Sequence, residues 1–169
     1  INIIAIEADE KIQTVLTITD EKKEGFLFMG TKHGIVKKTP ISEFKNLRKN
    51  GLIAISLKDG DELLKVKNTY GDANIMVVTQ NGYAVKFNEK NVRSMGRTAS
   101  GVRAINLKDD DIAVCMDIAV DGEELLVISE NGYGKRTPIS QYKLQNRGGV
   151  GLITYKISDK TGKLAGATI

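Results

Sequence analysis

Apolar and polar residues alternate in short blocks along this chain, and one order of blocks occurs three times. Each repeat begins with an apolar run, continues through a polar turn and reaches a second apolar run. The first runs span 12–18, 62–68 and 112–120, and the second runs span 26–31, 75–80 and 125–130. Because these runs are short and rich in β-branched residues, the pattern predicts strands rather than helices.

A tight turn follows the second run of every repeat. Asn-Gly pairs at 81–82 and 131–132 suit a two-residue hairpin turn, in which both residues need a positive φ, and 33–34 fills the same place. We call the glycines of these turns the hairpin glycines: Gly34, Gly82 and Gly132. They open a third strand, and after a connecting segment a fourth strand follows. The third strands are predicted at 34–40, 83–89 and 133–138, and the fourth at 51–57, 101–107 and 151–157.

The fourth strands open on Gly51, Gly101 and Gly151, which are spaced by 50 and 50. A fixed period of this length indicates a repeat architecture. The predicted repeats are 9–58, 59–108 and 109–158, with 1–8 and 159–169 as parts of flanking repeats. Four antiparallel strands in each repeat describe a blade, and blades arranged radially form a propeller-like disc. We therefore expect residues 1–169 to form part of one all-β domain, a partial disc of about three to four blades. The first residue, Ile1, suggests an excised piece of a longer protein.

Charge is distributed unevenly between two parts of each repeat. The segments from the hairpin glycine to the end of the fourth strand, 34–57, 82–107 and 132–157, carry net charges of +4, +4 and +5, while the whole chain carries only +4. The remainder of the chain is therefore acidic. Because equivalent segments of stacked repeats fall on equivalent surfaces, the sequence predicts a continuous positive band.

Lys and Arg side chains along such a band can neutralise the phosphates of DNA and release counterions. We call Gly51, Gly101 and Gly151 the period glycines. Arg97 and Arg147 each lie four residues before a period glycine, and 146–151 is a glycine-rich loop whose backbone could approach a phosphate closely. The candidate DNA-binding residues are Lys37, Lys38, Lys45, Arg48, Lys49, Lys86, Arg93, Arg97, Arg103, Lys135, Arg136, Lys143 and Arg147.

Other chemistries find little support in the sequence. Cys115 is a single cysteine within an apolar run, which indicates a buried thiol and a reducing compartment. The lone His33 has no partner for a zinc site, and the acidic runs 59–62 and 109–111 match no calcium loop and are expected to be solvated turns. We expect no catalytic residue, no metal site and no bound cofactor in this chain. No apolar run is long enough to cross a membrane.

The runs 131–138, 145–151 and 96–102 together carry a resemblance to a known family. They read NGYGKRTP, QNRGGVG and GRTASGV, and with their repetition they resemble the C-terminal DNA-wrapping domain of the bacterial DNA gyrase A protein. The sister domain in topoisomerase IV shares this repeat. The family's fold is a β-pinwheel, usually of six four-stranded blades that exchange strands with their neighbours. Its heptapeptide QRRGGKG has a degenerate counterpart at 145–151, where Asn146 and Val150 replace basic residues.

The resemblance implies wrapping of double-stranded DNA, without sequence specificity, around the basic rim of the disc. It also implies a non-catalytic part of an ATP-dependent, magnesium-dependent type IIA topoisomerase that introduces negative supercoils. The implied partners are DNA, the rest of the gyrase A protein and the gyrase B protein in an A2B2 enzyme, and the implied location is the bacterial cytoplasm, on the chromosome. Open blade edges also predict strand exchange between copies of the chain.

Three alternatives stay open at the level of the sequence. The first is the corresponding domain of topoisomerase IV. The second is a protein-interaction propeller, which would bind its partner through an apolar or mixed face with little dependence on salt. The third is an enzyme housed on a propeller, which would need carboxylates or histidines that converge on the central axis.

Overall fold

The computed structural model describes residues 10–18, 24–46 and 51–169. The described residues form strands and three short 3₁₀ turns, with no α-helix among them. The strands are β1 (Phe26–Thr31), β2 (Ile35–Pro40), β3 (Leu63–Thr69), β4 (Asn74–Thr79), β5 (Tyr83–Asn88), β6 (Val102–Arg103), β7 (Ala113–Ile118), β8 (Glu124–Ser129), β9 (Gly134–Pro138), β10 (Leu152–Ile153) and β11 (Leu164–Thr168). The 3₁₀ turns span Ile41–Phe44, Glu89–Asn91 and Ile139–Gln141.

These strands form three antiparallel sheets, each around one hairpin. The strand order is β3-β1-β2-β6 in the first sheet, β10-β5-β4-β7 in the second and β11-β8-β9 in the third. The hairpins close where the turns were predicted, and the hairpin glycine donates its N–H to the last residue of the preceding strand, as Gly82 does to the Thr79 carbonyl at 3.0 Å. The predicted turn type is wrong, because only the glycine of each pair has a positive φ.

Each sheet combines two consecutive repeats, so a blade is not one repeat. Its inner hairpin comes from one repeat, and its outer strands come from the next: β3 and β6 complete the first hairpin, and β7 and β10 complete the second. Exchange of this kind fastens neighbouring repeats through backbone hydrogen bonds as well as side-chain packing. The strand exchange between neighbouring blades that the resemblance implied is therefore present within this chain.

The period glycines make this exchange possible. Gly101 and Gly151 adopt φ of +97° and +83°. A Cβ at Gly101 would lie 2.6 Å from the Val36 carbonyl oxygen, and one at Gly151 would lie 2.4 Å from that of Ala84. The fourth strand of a repeat thus begins where its backbone passes very close to the third strand of the preceding repeat, and only glycine meets both requirements.

Two predicted strands are absent from the described residues. Neither 12–18 nor 51–57 is assigned to a strand. Their counterparts in later repeats pair with the hairpin of the preceding repeat, and no described hairpin precedes β1. The predicted strand at 1–8 lies outside the described residues.

The hydrophobic core lies between the sheets, in two layers. Phe28, Val36, Val77 and Phe87 belong to the layer between the first and second sheets. Val78, Cys115, Leu125 and Tyr142 belong to the layer between the second and third sheets. The second sheet is therefore covered on both faces, which explains why four consecutive residues of β5 are buried without alternation. No helix among the described residues is long and apolar enough to span a membrane.

Candidate nucleic-acid interface

The connecting segment of each repeat begins with a 3₁₀ turn at the end of the third strand. The first residues of these turns, Ile41, Glu89 and Ile139, are buried and fix the turn against the sheet. Pro40 and Pro138 precede two of the turns, and the Asn88 side chain caps the third by accepting the Lys90 N–H at 2.9 Å. The turns therefore start each connecting segment from the same place in every repeat.

An exposed cation follows each turn at the same position. In the second and third repeats the residue before it points inward, and these residues, Val92 and Tyr142, are 1% and 5% exposed. The next residue is exposed in all three repeats and makes no hydrogen bond or ion pair through its charged group with the described part of the chain. We call these residues the outer cations: Lys45, Arg93 and Lys143.

The outer cations share one offset in the sequence. Each lies eleven residues after its hairpin glycine. We predicted all three as DNA-binding residues, but the sequence reasoning missed their equivalence, although this constant offset carried the signal. The same backbone contacts recur in the second and third repeats, where the residues before Arg93 and Lys143 donate to the first carbonyl of the turn. In the first repeat Lys45 itself ends the turn and donates its N–H to the Ser42 carbonyl at 3.4 Å.

The loops after the outer cations are fastened to the preceding repeat. Gly148 N donates to the Ala104 carbonyl at 2.6 Å, and Asn106 N donates to the Gly149 carbonyl at 2.8 Å. In the preceding loop, the Ser56 hydroxyl donates to the Thr98 carbonyl at 2.6 Å. These bonds hold the two loops along residues 104–106 and along Ser56 of the repeat before.

Arg97 and Arg147, on these loops, are half-buried. Arg147 Nε donates to the Asn91 carbonyl at 2.9 Å, and its Nη1 donates to the Arg103 carbonyl at 3.0 Å. Its guanidinium is thus held by backbone oxygens of the preceding repeat, one of them two residues before Arg93. The neighbouring Arg103 is exposed, and its Nη1 donates to the Asn106 side-chain oxygen at 3.2 Å.

Three of the predicted DNA contacts are buried, which corrects the expectation that they line an open surface. Lys37, Lys38 and Lys86 are 0%, 6% and 8% exposed. Lys38 Nζ donates to the Glu89 carbonyl at 3.0 Å, and Lys86 Nζ donates to the Ile139 carbonyl at 3.1 Å. Their charges are committed to backbone oxygens of the following repeat. Lys38 and Lys86 are buried because each faces the next sheet and its turn, which leaves no solvated side there.

Lys37 points to the opposite face of its strand from Lys38 and is also enclosed. Its Nζ donates to the Ala54 carbonyl at 2.6 Å and also to the Arg97 carbonyl. Burial, and secondarily the charge of Arg97, lowers the pKa of Lys37 from 10.5 to about 8. Lys37 therefore holds the Arg97 loop from beneath.

The basic residues of β9 differ from their counterparts in being exposed. Lys135 Nζ donates to the Thr154 carbonyl at 3.1 Å, and Arg136 forms an ion pair with Glu124. Arg136 lies four residues after its hairpin glycine, as Lys38 and Lys86 do. The predicted contacts Arg48 and Lys49 lie outside the described residues.

Two acidic residues expected in solvated turns are instead buried. Asp61 and Asp111 are 9% and 6% exposed. Their carboxylates accept backbone N–H groups, such as His33 N at 2.9 Å and Asn81 N at 2.9 Å. They close turns between repeats. Among residues 10–18, 24–46 and 51–169, no group of three or more metal-ligating side chains is suited to a metal ion.

Comparison with known proteins gives consistent matches over most of the chain. A family model described as the DNA gyrase C-terminal domain, beta-propeller, matches residues 25–69, 73–114 and 123–169. The DNA gyrase A protein of Clostridium acetobutylicum is 62% identical over 98% of this chain and 20% of the relative. The DNA gyrase A protein of Ureaplasma parvum is 42% identical over 97% of this chain and 19% of the relative. The chain therefore spans about a fifth of the length of these relatives.

Solved structures with the same fold include two C-terminal domains. That of DNA topoisomerase IV matches with a TM-score of 0.91 and 30% identity, over 99% of this chain and 53% of that one. That of DNA gyrase A matches with a TM-score of 0.84 and 29% identity, over 99% of this chain and 56% of that one. The all-β, propeller-like fold predicted from the sequence is confirmed. The resemblance to gyrase C-terminal domains is confirmed as well.

Proposed function

The chain belongs to the family of DNA gyrase C-terminal domains, and from that premise we propose that it binds double-stranded DNA without sequence specificity and bends it around the edge marked by the outer cations. The observation that carries this proposal is the recurrence of Lys45, Arg93 and Lys143 as exposed charges without a partner among the described residues. A duplex that follows this edge meets one such charge in every repeat. Phosphates occur at regular intervals along DNA, so a regular row of cations can meet them whatever the base sequence.

The fastened loops favour binding of this kind. Arg97, Arg103 and Arg147 lie on backbone that is hydrogen-bonded to a neighbouring repeat, so little conformational freedom remains to be lost when they meet a phosphate. Smooth bending of a site of 20–30 base pairs costs roughly 1–6 kcal/mol, and phosphate contacts distributed along the bend offset that cost. Contacts of this type are typical of architectural proteins that wrap DNA without reading bases.

We propose that the parent protein is a DNA gyrase A protein. Identity of 62% to a protein of that name favours gyrase over topoisomerase IV. In this proposal the domain contributes DNA binding and no catalytic group, while other parts of the A2B2 enzyme cleave DNA and use ATP and magnesium to drive negative supercoiling. The bacterial cytoplasm, where the chromosome lies, is the proposed location.

A salt series tests the DNA-binding proposal. Affinity for several unrelated duplexes is measured by fluorescence anisotropy for the native chain and for the triple variant Lys45→Ala, Arg93→Ala, Lys143→Ala. We expect similar affinities for all duplexes, and a slope of log affinity against log salt that becomes shallower by about 0.9 for each phosphate that the variant no longer neutralises.

A matched control removes three exposed lysines from turns next to acidic residues, with the variant Lys58→Ala, Lys108→Ala, Lys160→Ala. It removes the same positive charge as the test variant but leaves the outer cations in place. If both triple variants change the slope equally, binding does not depend on this edge. If the native chain binds no duplex even at low salt, DNA binding itself is excluded.

A further inference from the structure

The buried lysines of the hairpins hold the segments that carry the outer cations of the following repeat. Lys38 Nζ donates to the carbonyl of Glu89, four residues before Arg93. Lys86 Nζ donates to the carbonyl of Ile139, four residues before Lys143. Both bonds cross from one sheet to the 3₁₀ turn of the next repeat, and they occupy equivalent positions in the two repeats.

The backbone of the same two lysines holds the other side of each outer cation. The Lys38 carbonyl accepts the N–H of Met95 at 2.8 Å, and the Lys86 carbonyl accepts the N–H of Gln145 at 2.8 Å. Met95 and Gln145 each lie two residues after an outer cation. One lysine therefore fixes the chain both before and after that cation, once through its side chain and once through its main chain.

We propose that Lys38 and Lys86 are positioning residues: they set where the outer cation of the next repeat stands, and hence the spacing between charges along the edge, without touching DNA themselves. This inference rests on the proposed DNA binding for its functional meaning, but its structural content does not. The two lysines are 6% and 8% exposed and have no route to a phosphate in this arrangement. Their side chains are long enough to cross the gap between sheets and carry a donor for a buried carbonyl.

Lys86 offers the clearer test of the two. Lys38 also lies 3.6 Å from the buried Glu89 carboxylate, so its removal leaves an unpaired buried charge. Lys86 has no ion pair among the described residues, and methionine approximates its shape without the donor. The substitution Lys86→Met therefore removes the bond to Ile139 with little other change.

The first measurement needs no DNA. Spin labels at Arg93→Cys and Lys143→Cys report the distance between two outer cations, and the free thiol of Cys115 is removed from every variant by Cys115→Ala so that it cannot take up label. We expect Lys86→Met to shift or broaden this distance distribution. The control Lys108→Met, the same change at an exposed lysine, should leave the distribution as it is. An unchanged distribution in Lys86→Met overturns the positioning role.

The second measurement separates positioning from contact. Lys143→Ala should make the salt slope of DNA binding shallower by about 0.9. Lys86→Met should leave the slope as in the native chain while it reduces the bend of an end-labelled duplex, measured by energy transfer. If Lys86→Met lowers the slope as Lys143→Ala does, Lys86 contacts phosphate directly and the inference is wrong. An absence of DNA binding by the native chain would defeat the proposed function and leave the distance measurement to decide on positioning.

If Lys86→Met does not fold, the other position supplies the same test. The double variant Lys38→Met, Glu89→Gln removes the equivalent bond and the buried carboxylate charge together. Labels at Lys45→Cys and Arg93→Cys then report the spacing between the first and second outer cations. A shifted or broader distribution supports positioning by Lys38, and an unchanged one contradicts it.

Discussion

The junction between the first and second sheets and the junction between the second and third sheets share one plan but differ in charge. In both, a lysine of the third strand donates to the first carbonyl of the next repeat's 3₁₀ turn. The first junction adds the buried carboxylate of Glu89, whereas the second has Ile139 at that position. The shared element is the lysine-to-carbonyl bond. The Lys38–Glu89 pair is an addition that makes the first junction sensitive to the removal of either partner.

The largest expected difference between the junctions comes from the same substitution at equivalent positions. Lys38→Met leaves the Glu89 carboxylate buried without its cation, which should cost about 3–5 kcal/mol of unfolding free energy. Lys86→Met removes one charge-assisted hydrogen bond and should cost about 1.5–3 kcal/mol. Urea denaturation measures both costs. Addition of Glu89→Gln to Lys38→Met should recover part of the stability, and equal costs in the two single variants would contradict the distinction.

Both junctions also share a glycine that lies close to the backbone of the preceding repeat. Gly101→Ala and Gly151→Ala each place a Cβ against a carbonyl of the preceding repeat, at 2.6 Å and 2.4 Å, on a residue with positive φ. The left-handed conformation alone costs about 1–2 kcal/mol for alanine, and the collision adds to it. We therefore expect urea denaturation to show that both variants are destabilised by at least about 2 kcal/mol.

Matched glycines in the same loops provide the control. Gly96 and Gly149 would meet no atom within 4 Å of an added Cβ. Alanine at these positions should change stability by no more than about 0.5 kcal/mol. If Gly96→Ala and Gly149→Ala destabilise as much as Gly101→Ala and Gly151→Ala, the close approach of strands is not the reason for the fifty-residue period.

The parts of this fold that are local were predictable from the sequence. Hairpin turns depend on adjacent residues such as Asn81 and Gly82, and short β-branched runs favour strands on their own account. The allocation of strands to sheets was not predictable from the residues alone, because β6 and β10 are two residues long and pair across a repeat boundary. Nothing within one repeat specifies whether its fourth strand returns to its own hairpin or adds to the previous one.

The sequence identified the basic segment of each repeat, but not which of its cations are exposed. Lys38 and Lys45 lie seven residues apart in one basic segment, and the sequence alone does not distinguish them. Burial separates them, since β2 is covered on both faces and the residue after Phe44 is not. Adjacent strand residues point to opposite faces, so one of Lys37 and Lys38 would be solvated in a sheet with one open face. Both are buried, because Lys38 faces the second sheet and Lys37 is enclosed by the segment of Ala54 and the loop of Arg97. A charge count does not contain these contacts.

The pH dependence of stability should show a smaller effect, which comes from Lys37 on the face of β2 that is turned away from the first junction. The pKa of Lys37 falls from 10.5 to about 8 in the folded chain. Between these values the unfolded chain keeps this proton while the folded chain releases it, so the unfolding free energy rises with pH in that window. The contribution is up to about 1 kcal/mol for one pH unit above pH 8.

The variant Lys37→Met isolates this contribution. The difference in unfolding free energy between the native chain and Lys37→Met should grow as pH rises from about 8 to about 9.5, and should be constant below about pH 7. The Cys115 thiol acts in the opposite direction at higher pH, but it is present in both chains and cancels in the difference. A difference that stays flat across the window would show that Lys37 titrates normally.

The smallest expected effect is on the reactivity of Cys115, which reports on the second junction. Burial, and secondarily the nearby Asp117, raises the pKa of this thiol from 9.0 to about 11, so at neutral pH it is both covered and protonated. Alkylation should be slow and should require opening of the layer that includes Leu125 and Tyr142. Because Lys86 fastens that junction and Lys38 fastens the other, we expect Lys86→Met to accelerate alkylation more than Lys38→Met does under native conditions, even though Lys38→Met is the less stable variant. Mass spectrometry of timed samples measures both rates. The reverse order of rates would mean that the two junctions open together as one cooperative unit. Alkylation would then follow the overall stability of each variant and not the stability of one junction.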